Sequence, residues 1–186
     1  RTHWLDIVSN AIQDPLDQCM KLLFSDLLRL LQPYDQEVQS VHDFELHPNR
    51  RPKILVQTAG HVSGAVRFYQ ASDADPETLQ GKLNGEKMFP VCLHPKYGGW
   101  FGLRGCFIFP NISSRMLTRK PELTLLESKQ RVSELLNLYN FHWQDGRYRD
   151  CLGLAESYSP IQREYFKRHP GEPRIEFLST LLNNNL

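Results

Sequence analysis

The sequence predicts one domain that mixes helices with antiparallel strands, and three observations say so. The chain has 186 residues, 40% of them hydrophobic, which suits a single core burying roughly 70% of the unfolded surface. Apolar residues recur at helical spacing in several stretches. Between Met88 and Phe109 two apolar runs flank Gly98-Gly99, the pattern of an antiparallel hairpin.

In chain order, Asp14-Pro15 reads as a helix start, with Asp as N-cap and Pro at the first helical position. Lys21, Ser25, Arg29 and Gln32 would share its wet face, Met20, Leu23, Leu27 and Leu31 the buried one, and Pro33 ends it. Val38 to Leu46 alternates as a strand. A helix is expected from about Lys53 to Gln70, where Ile54, Leu55, Thr58, Val62, Ala65, Val66 and Tyr69 define one apolar face. Gln57, His61, Gly64 and Phe68 form a second stripe. Gly60 and Gly64 each cost about 1 kcal/mol against Ala in a helix, so something large approaches them: another element, or a flat ligand. The stretch from Ala71 to Lys87 is polar, with Gly, Pro and Asn, and reads as a mobile excursion.

Met88 to Leu93 and Trp100 to Phe109 are the hairpin strands, the second apolar on both faces as a central strand would be. Arg104 is its only charge. A guanidinium there needs an anion, supplied either by a buried Asp or Glu or by the carboxylate of a ligand. Thr124 with Glu127 suggests a capping box for a helix to about Tyr139, and Ser159-Pro160 with Gln162 suggests another. Pro173 opens a last helix with Ile175, Leu178 and Leu182 inward. Arg174 falls in its first turn, where the dipole disfavours a cation.

A formal net charge of +1 and no basic run argue against nucleic acid. Cys19, Cys92, Cys106 and Cys151 show no CxxC spacing, which fits reduced thiols in the cytosol. The leucine-rich segment from Cys19 to Leu31 is broken by Lys21, Asp26 and Arg29, so no membrane span is expected. HExxH, Walker, GxGxxG and GxSxG motifs are missing. Seven histidines without tight pairing give no protein-built metal site.

HPNRRPKILVQTAGHVSGA from His47, CLHPKYGGWFGLRG from Cys92, FHWQDGRYRD from Phe141 and SYSPIQREYF from Ser157 resemble, in order, segments of the CblC family of cobalamin-processing proteins. The resemblance spans nearly the whole chain, expected to be one domain over 1–186. Because the chain opens at Arg1, it is expected to lack the family's N-terminal segment. It implies an α+β, flavin nitroreductase-like fold with an antiparallel central sheet flanked by helices. It also implies an enzyme that holds cobalamin base-off and removes the upper ligand of cobalt. Alkylcobalamins would be dealkylated by glutathione, and cyanocobalamin decyanated with electrons from FAD or FMN supplied through NADPH. A cytoplasmic location, a CblD-type partner and a monomeric or weakly dimeric state follow from the same resemblance.

Carried over by resemblance, the cobalamin contacts fall on Asp43, Ile54, Leu55, Val56, Gln57, Phe68, Tyr69, Gln70, Cys92 and Leu103. His61 lines the cavity. HxxG is present at His61–Gly64, but Ala59 stands where a DxHxxG motif has its Asp, so His61 is a poor cobalt ligand. The glutathione-positioning arginines map to Arg104, Arg149 and Arg174, the last with one inserted residue after Phe166. Gly146 stands where vertebrate members have Trp, Phe68 where they have Tyr, and Pro90 where they have Gly; these departures are expected to retune affinity or divert turnover toward thiol oxidation. Two other readings are a non-catalytic cobalamin carrier and a flavin oxidoreductase of nitroreductase type.

Overall fold

The computed structural model describes residues 15–114, 116, 118 and 120–183, so the expected N-cap at Asp14 lies outside the described residues. The architecture is mixed α+β, with two small antiparallel sheets flanked by helices. Two compact units share the chain. One comprises the described residues of Arg1–Val56, Arg104–Leu117 and Arg168–Leu186; the other comprises Gln57–Leu103 and Thr118–Lys167.

The first unit contains α1 (Pro15–Leu31), β1 (Gln39–His42) and the strand Gly105–Ile108, which pairs antiparallel with β1 from Gln39↔Ile108 to His42↔Gly105. Phe24 of α1 packs inward. Its ring sits 4.4 Å from His42 and 4.8 Å from Phe107. Leu23, expected on the buried face, is 47% exposed, because the sheet takes the ring at position 24 instead. Gly105 has φ +149, and a Cβ there would lie 3.0 Å from His42 Cα and 2.9 Å from Phe24 Cε1. Only glycine lets α1 and β1 close over that point.

In the second unit, the expected long helix is short. It runs as α2 (Val56–Val62, its first residue belonging to the first unit) and ends in a Schellman motif. Ala65 N–H donates to Gly60 O and Gly64 N–H to His61 O, each at 3.0 Å, with Gly64 at φ +73. The chain then emerges as β2 (Arg67–Tyr69), paired antiparallel with β3 (Val91–Leu93) through Arg67↔Leu93, Phe68↔Cys92 and Tyr69↔Val91. Phe68 is therefore a strand residue and not part of a helical stripe. Both glycines face protein: a Cβ at Gly60 would meet Leu103 Cδ1 at 2.9 Å, and one at Gly64 would meet Lys120 Cβ at 2.8 Å.

The expected hairpin and single central sheet do not form. β3 pairs with β2, and Gly105–Ile108, here β4, pairs with β1. His94 and Gly98 still turn the chain through two main-chain bonds of 2.8 and 2.9 Å. Beyond them Gly99 N–H donates to Arg149 O at 3.0 Å, and a Cβ at Gly99 would lie 2.6 Å from Arg149 Cα. The Arg147–Asp150 turn thus takes the place a partner strand would need.

The core of this unit gathers Tyr69, Leu79, Val91, Leu93, Val132, Leu135, Leu136 and Tyr148. Leu79 is fully buried, so the polar stretch after β2 is anchored, and it includes α3 (Gln80–Asn84). The helix α4 (Lys129–Phe141) starts at Ser128, whose Oγ accepts from Arg131 N–H, and not at the expected Thr124. The reason is local: the amides of Leu125 and Leu126 donate to the Tyr69 hydroxyl at 3.3 and 3.0 Å and stay extended. Ser159 and Gln162 form the expected capping box of α5 (Pro160–Phe166). The first unit ends in α6 (Glu172–Asn183), on which Ile175, Leu178 and Leu182 are half-buried.

Candidate functional site

Arg149 lies in the short helical turn Arg147–Asp150 of the second unit, made possible by Gly146 at φ +77. Its guanidinium carbon stands 5.3 Å from the Trp100 ring centroid, 4.9 Å from Tyr148, 5.7 Å from Tyr158 and 5.6 Å from Phe166. Four aromatic faces hold one cation, each contact worth about 0.5–1 kcal/mol or more where water is excluded. Nη1 donates to Gly99 O at 2.6 Å. Among the described residues no carboxylate forms an ion pair with this guanidinium. Its donors are positioned by rings and one carbonyl, and the pocket they face is lined also by Trp100, Trp143, Gly146, Asp150 and Arg163. The cavity measures about 110 Å³. Trp100 Nε1–H donates to Asp150 Oδ1 at 2.6 Å, which fixes the indole that floors it.

Arg163 is the residue that sequence reasoning missed. It sits on α5, with its guanidinium carbon 4.5 Å from the Trp100 ring centroid and Nε donating to Tyr158 O at 3.3 Å. The available signal was the interleaving of Trp, Tyr and Arg in FHWQDGRYRD beside an arginine in SYSPIQREYF.

Arg104 is differently placed. It belongs to the first unit, bonded through Nη2 to Asp17 and 3.1 Å through Nη1 from Asp43 Oδ2. Of the two kinds of partner left open by the sequence, this structure shows protein carboxylates. All three side chains are about a quarter exposed, and Arg104 Nε and Asp43 Oδ1 have no hydrogen-bond partner. Arg174, on α6 of the same unit, donates from Nε to Arg168 O at 3.1 Å. Arg104 and Arg174 thus lie in one unit and Arg149 in the other.

The expected cobalamin contacts are divided too. Asp43, Ile54, Leu55 and Val56 belong to the first unit; Gln57, His61, Phe68, Tyr69, Gln70, Cys92 and Leu103 belong to the second. Leu55 is 63% exposed, an aliphatic side chain without cover. Tyr69 is buried with its hydroxyl engaged by Leu125 and Leu126. His61 Nδ1 lies 3.4 Å from Val66 O, and Nε2 lies 3.5 Å from both Arg67 Nη1 and Glu122 Oε1. Arg67 itself pairs with Glu122. Burial pushes the Cys92 and Cys151 thiols up to about 11 and raises Cys106 as well. These three are poor nucleophiles near neutral pH, since the thiolate is the reactive form. Among the described residues no group of three His, Cys, Asp or Glu side chains could hold a metal ion. None of the described helices is long and apolar enough to cross a membrane.

A mixed α+β chain whose pocket presents an aromatic-framed cation has the makings of a binding protein for an anion. The chain belongs to the methylmalonic aciduria and homocystinuria type C family, which it matches over residues 3–178. It is 43% identical over 161 residues to the cyanocobalamin reductase / alkylcobalamin dealkylase of Gallus gallus, covering 87% of this chain and 65% of that one. With the Homo sapiens protein of the same name it shares 38% over 162 residues, covering 87% and 55%. A crystal structure of a Caenorhabditis elegans B12-trafficking protein, CblC, superposes with a TM-score of 0.83 at 29% identity, over 95% of this chain and 70% of that one. The chain spans between 55 and 65% of the length of the curated relatives it matches.

Proposed function

We infer that this chain processes cobalamin: it binds the vitamin base-off and removes the upper axial ligand of cobalt, dealkylating alkylcobalamins with glutathione and decyanating cyanocobalamin reductively. The observation that carries the reading is the Arg149 pocket, an open cavity beside a cation without an acidic partner, in a chain of this family. Glutathione carries two carboxylates that a guanidinium can bind with paired N–H donors.

In dealkylation, the sulfur of the glutathione thiolate attacks the alkyl carbon bonded to cobalt. A carbon–sulfur bond forms, the carbon–cobalt bond breaks with its electron pair left on the metal, and cob(I)alamin departs. The contribution of this chain is placement: binding converts a bimolecular attack into an oriented one. The positive pocket favours the thiolate over the thiol. That the thiol comes from outside agrees with the raised Cys92, Cys106 and Cys151. Decyanation draws electrons from reduced FAD or FMN and NADPH. The cobalamin contacts are Asp43, Ile54, Leu55, Val56, Gln57, His61, Phe68, Tyr69, Gln70, Cys92 and Leu103. The exposed Leu55 supports its share of that set, whereas the buried ring of Tyr69 leaves its contact to the main chain.

The fold is of flavin nitroreductase type in this reading, the location cytoplasmic, and a CblD-type protein receives the product. Arg104 and Arg174 belong to the glutathione set only if ligand carboxylates displace their present partners, so Arg149 is the arginine on which the reading rests. Anaerobic incubation with methylcobalamin and glutathione tests it. S-methylglutathione formed in step with loss of the methylcobalamin spectrum is the expected result. A base-off spectral change without any thioether would leave a non-catalytic carrier.

A further inference from the structure

The pocket beside Trp100 holds two guanidiniums, and the second has no role in the reading above. Arg149 and Arg163 both lean on one indole, at 5.3 and 4.5 Å from its centroid. Both are half-buried, and each has main-chain carbonyls as its hydrogen-bond acceptors: Gly99 O for Arg149 and Tyr158 O for Arg163. Among the described residues neither forms an ion pair. Two like charges gathered around one buried ring repel each other, and an anion placed between them reverses the sign of that interaction.

The other charges at the pocket are accounted for. Asp145 is held by Arg147, with Nε and Nη2 each 2.8 Å from Oδ2. Lys167 Nζ is 2.6 Å from Glu164 Oε1. Asp150 lines the cavity and accepts the indole N–H on Oδ1. Two guanidiniums and one carboxylate thus face a space of about 110 Å³, room for one terminus of a peptide and not for a whole tripeptide. A carboxylate beside an ammonium matches that set, the first for the arginines and the second for Asp150. In glutathione this grouping is the γ-glutamyl end, because the glycyl end has a carboxylate alone.

We propose that Arg163, together with Arg149, binds the α-carboxylate of the γ-glutamyl end of the thiol, with Asp150 receiving its ammonium. This assignment rests on glutathione being the thiol that the protein uses. Arg163 is then a binding residue that selects γ-glutamyl thiols over other small thiols.

Calorimetric titration of the full chain with glutathione, γ-glutamylcysteine and cysteinylglycine tests it. In the unaltered protein γ-glutamylcysteine binds within a few-fold of glutathione, and cysteinylglycine binds far more weakly. Arg163→Gln weakens the two γ-glutamyl thiols about tenfold, the loss of one charge-assisted contact, and leaves cysteinylglycine unchanged. Arg163→Lys loses less. If Arg149→Gln weakens glutathione while Arg163→Gln does not, the assignment of Arg163 is overturned and the glutathione reading stands. If glutathione does not bind the unaltered protein, both fall. Equal weakening of cysteinylglycine overturns the γ-glutamyl assignment. Should Arg163→Gln not fold, the unaltered protein still decides, because cysteinylglycine binding as tightly as glutathione contradicts the proposal.

Discussion

Arg104 and Arg149 came from the same expectation and ended in opposite surroundings. Arg104 is clasped by Asp17 and Asp43, with Phe44 at 5.8 Å from its guanidinium carbon. Arg149 is framed by four rings and bonded to one carbonyl. A guanidinium matched by two carboxylates is a structural tie, since an incoming anion must first displace an anion. One held by π faces is oriented without being neutralised, and its remaining donors are available to a ligand. The lesson is that a charged residue in an apolar stretch signals a partner without saying whether that partner is protein or ligand.

The sharpest way to break this contrast is to remove each cation in turn. Arg149→Met is expected to lower kcat/KM for glutathione by about 10- to 100-fold, the value of one or two charge-assisted bonds. Arg104→Met is expected to leave turnover with glutathione near that of the unaltered protein and to act on stability alone. It leaves Asp17 and Asp43 facing each other part-buried, and urea unfolding should show a loss of about 2 kcal/mol, below the 3–5 kcal/mol of a fully buried pair because all three side chains are a quarter exposed. Equal losses of kcat/KM for glutathione in the two variants would erase the distinction. A smaller effect is expected at the turn that carries Arg149. Gly146→Ala puts a Cβ on a residue at φ +77, at a cost of about 1 kcal/mol; a Cβ there would sit 3.5 Å from Trp100 Cη2, an ordinary contact, so the loss comes from the backbone. Thermal melting of the variant measures it.

The smallest effect concerns pH. His94 Nδ1 accepts the N–H groups of Lys96 and Tyr97 at 3.0 and 3.3 Å, and burial, aided by Lys96, holds its pKa below the ordinary 6.5. Between that lowered value and 6.5 the unfolded chain binds more protons than the folded one. Stability is therefore expected to fall as pH drops below about 6.5, with the turn that precedes Trp100 loosened first. His94→Asn keeps an acceptor at the same place and removes the titration. Its melting temperature should show a flatter profile between pH 6.5 and 5, and an unchanged profile would contradict the assignment.

Local signals were legible where the chain answers to itself. Ser159, Pro160 and Gln162 spell a capping box and form one. The helix that contains Met20 and Leu27 stops at Leu31, before Pro33, as its sequence says. The four family segments were legible because they are long and ordered, and membership over residues 3–178 agrees with them. Strand pairing was not legible, because β1–β4 and β2–β3 join residues far apart in sequence and alternation does not name a partner. The helix ending at Val62 was hidden by Gly64, whose positive φ cannot be told from a packing glycine by spacing alone. Ser128 took the cap from Thr124 through the Tyr69 hydroxyl, a contact across 56 residues. At the site, Arg149 was named and its rings were not. Arg163 was passed over because an arginine on a short amphipathic helix looks like a solvated one.

Cobalamin binding itself is the claim on which the rest depends, and an optical titration of the vitamin into the protein tests it most directly. Detachment of the benzimidazole changes the spectrum of methylcobalamin from red to yellow-orange, and that change should saturate at one equivalent. A spectrum that stays red through excess protein would contradict the account.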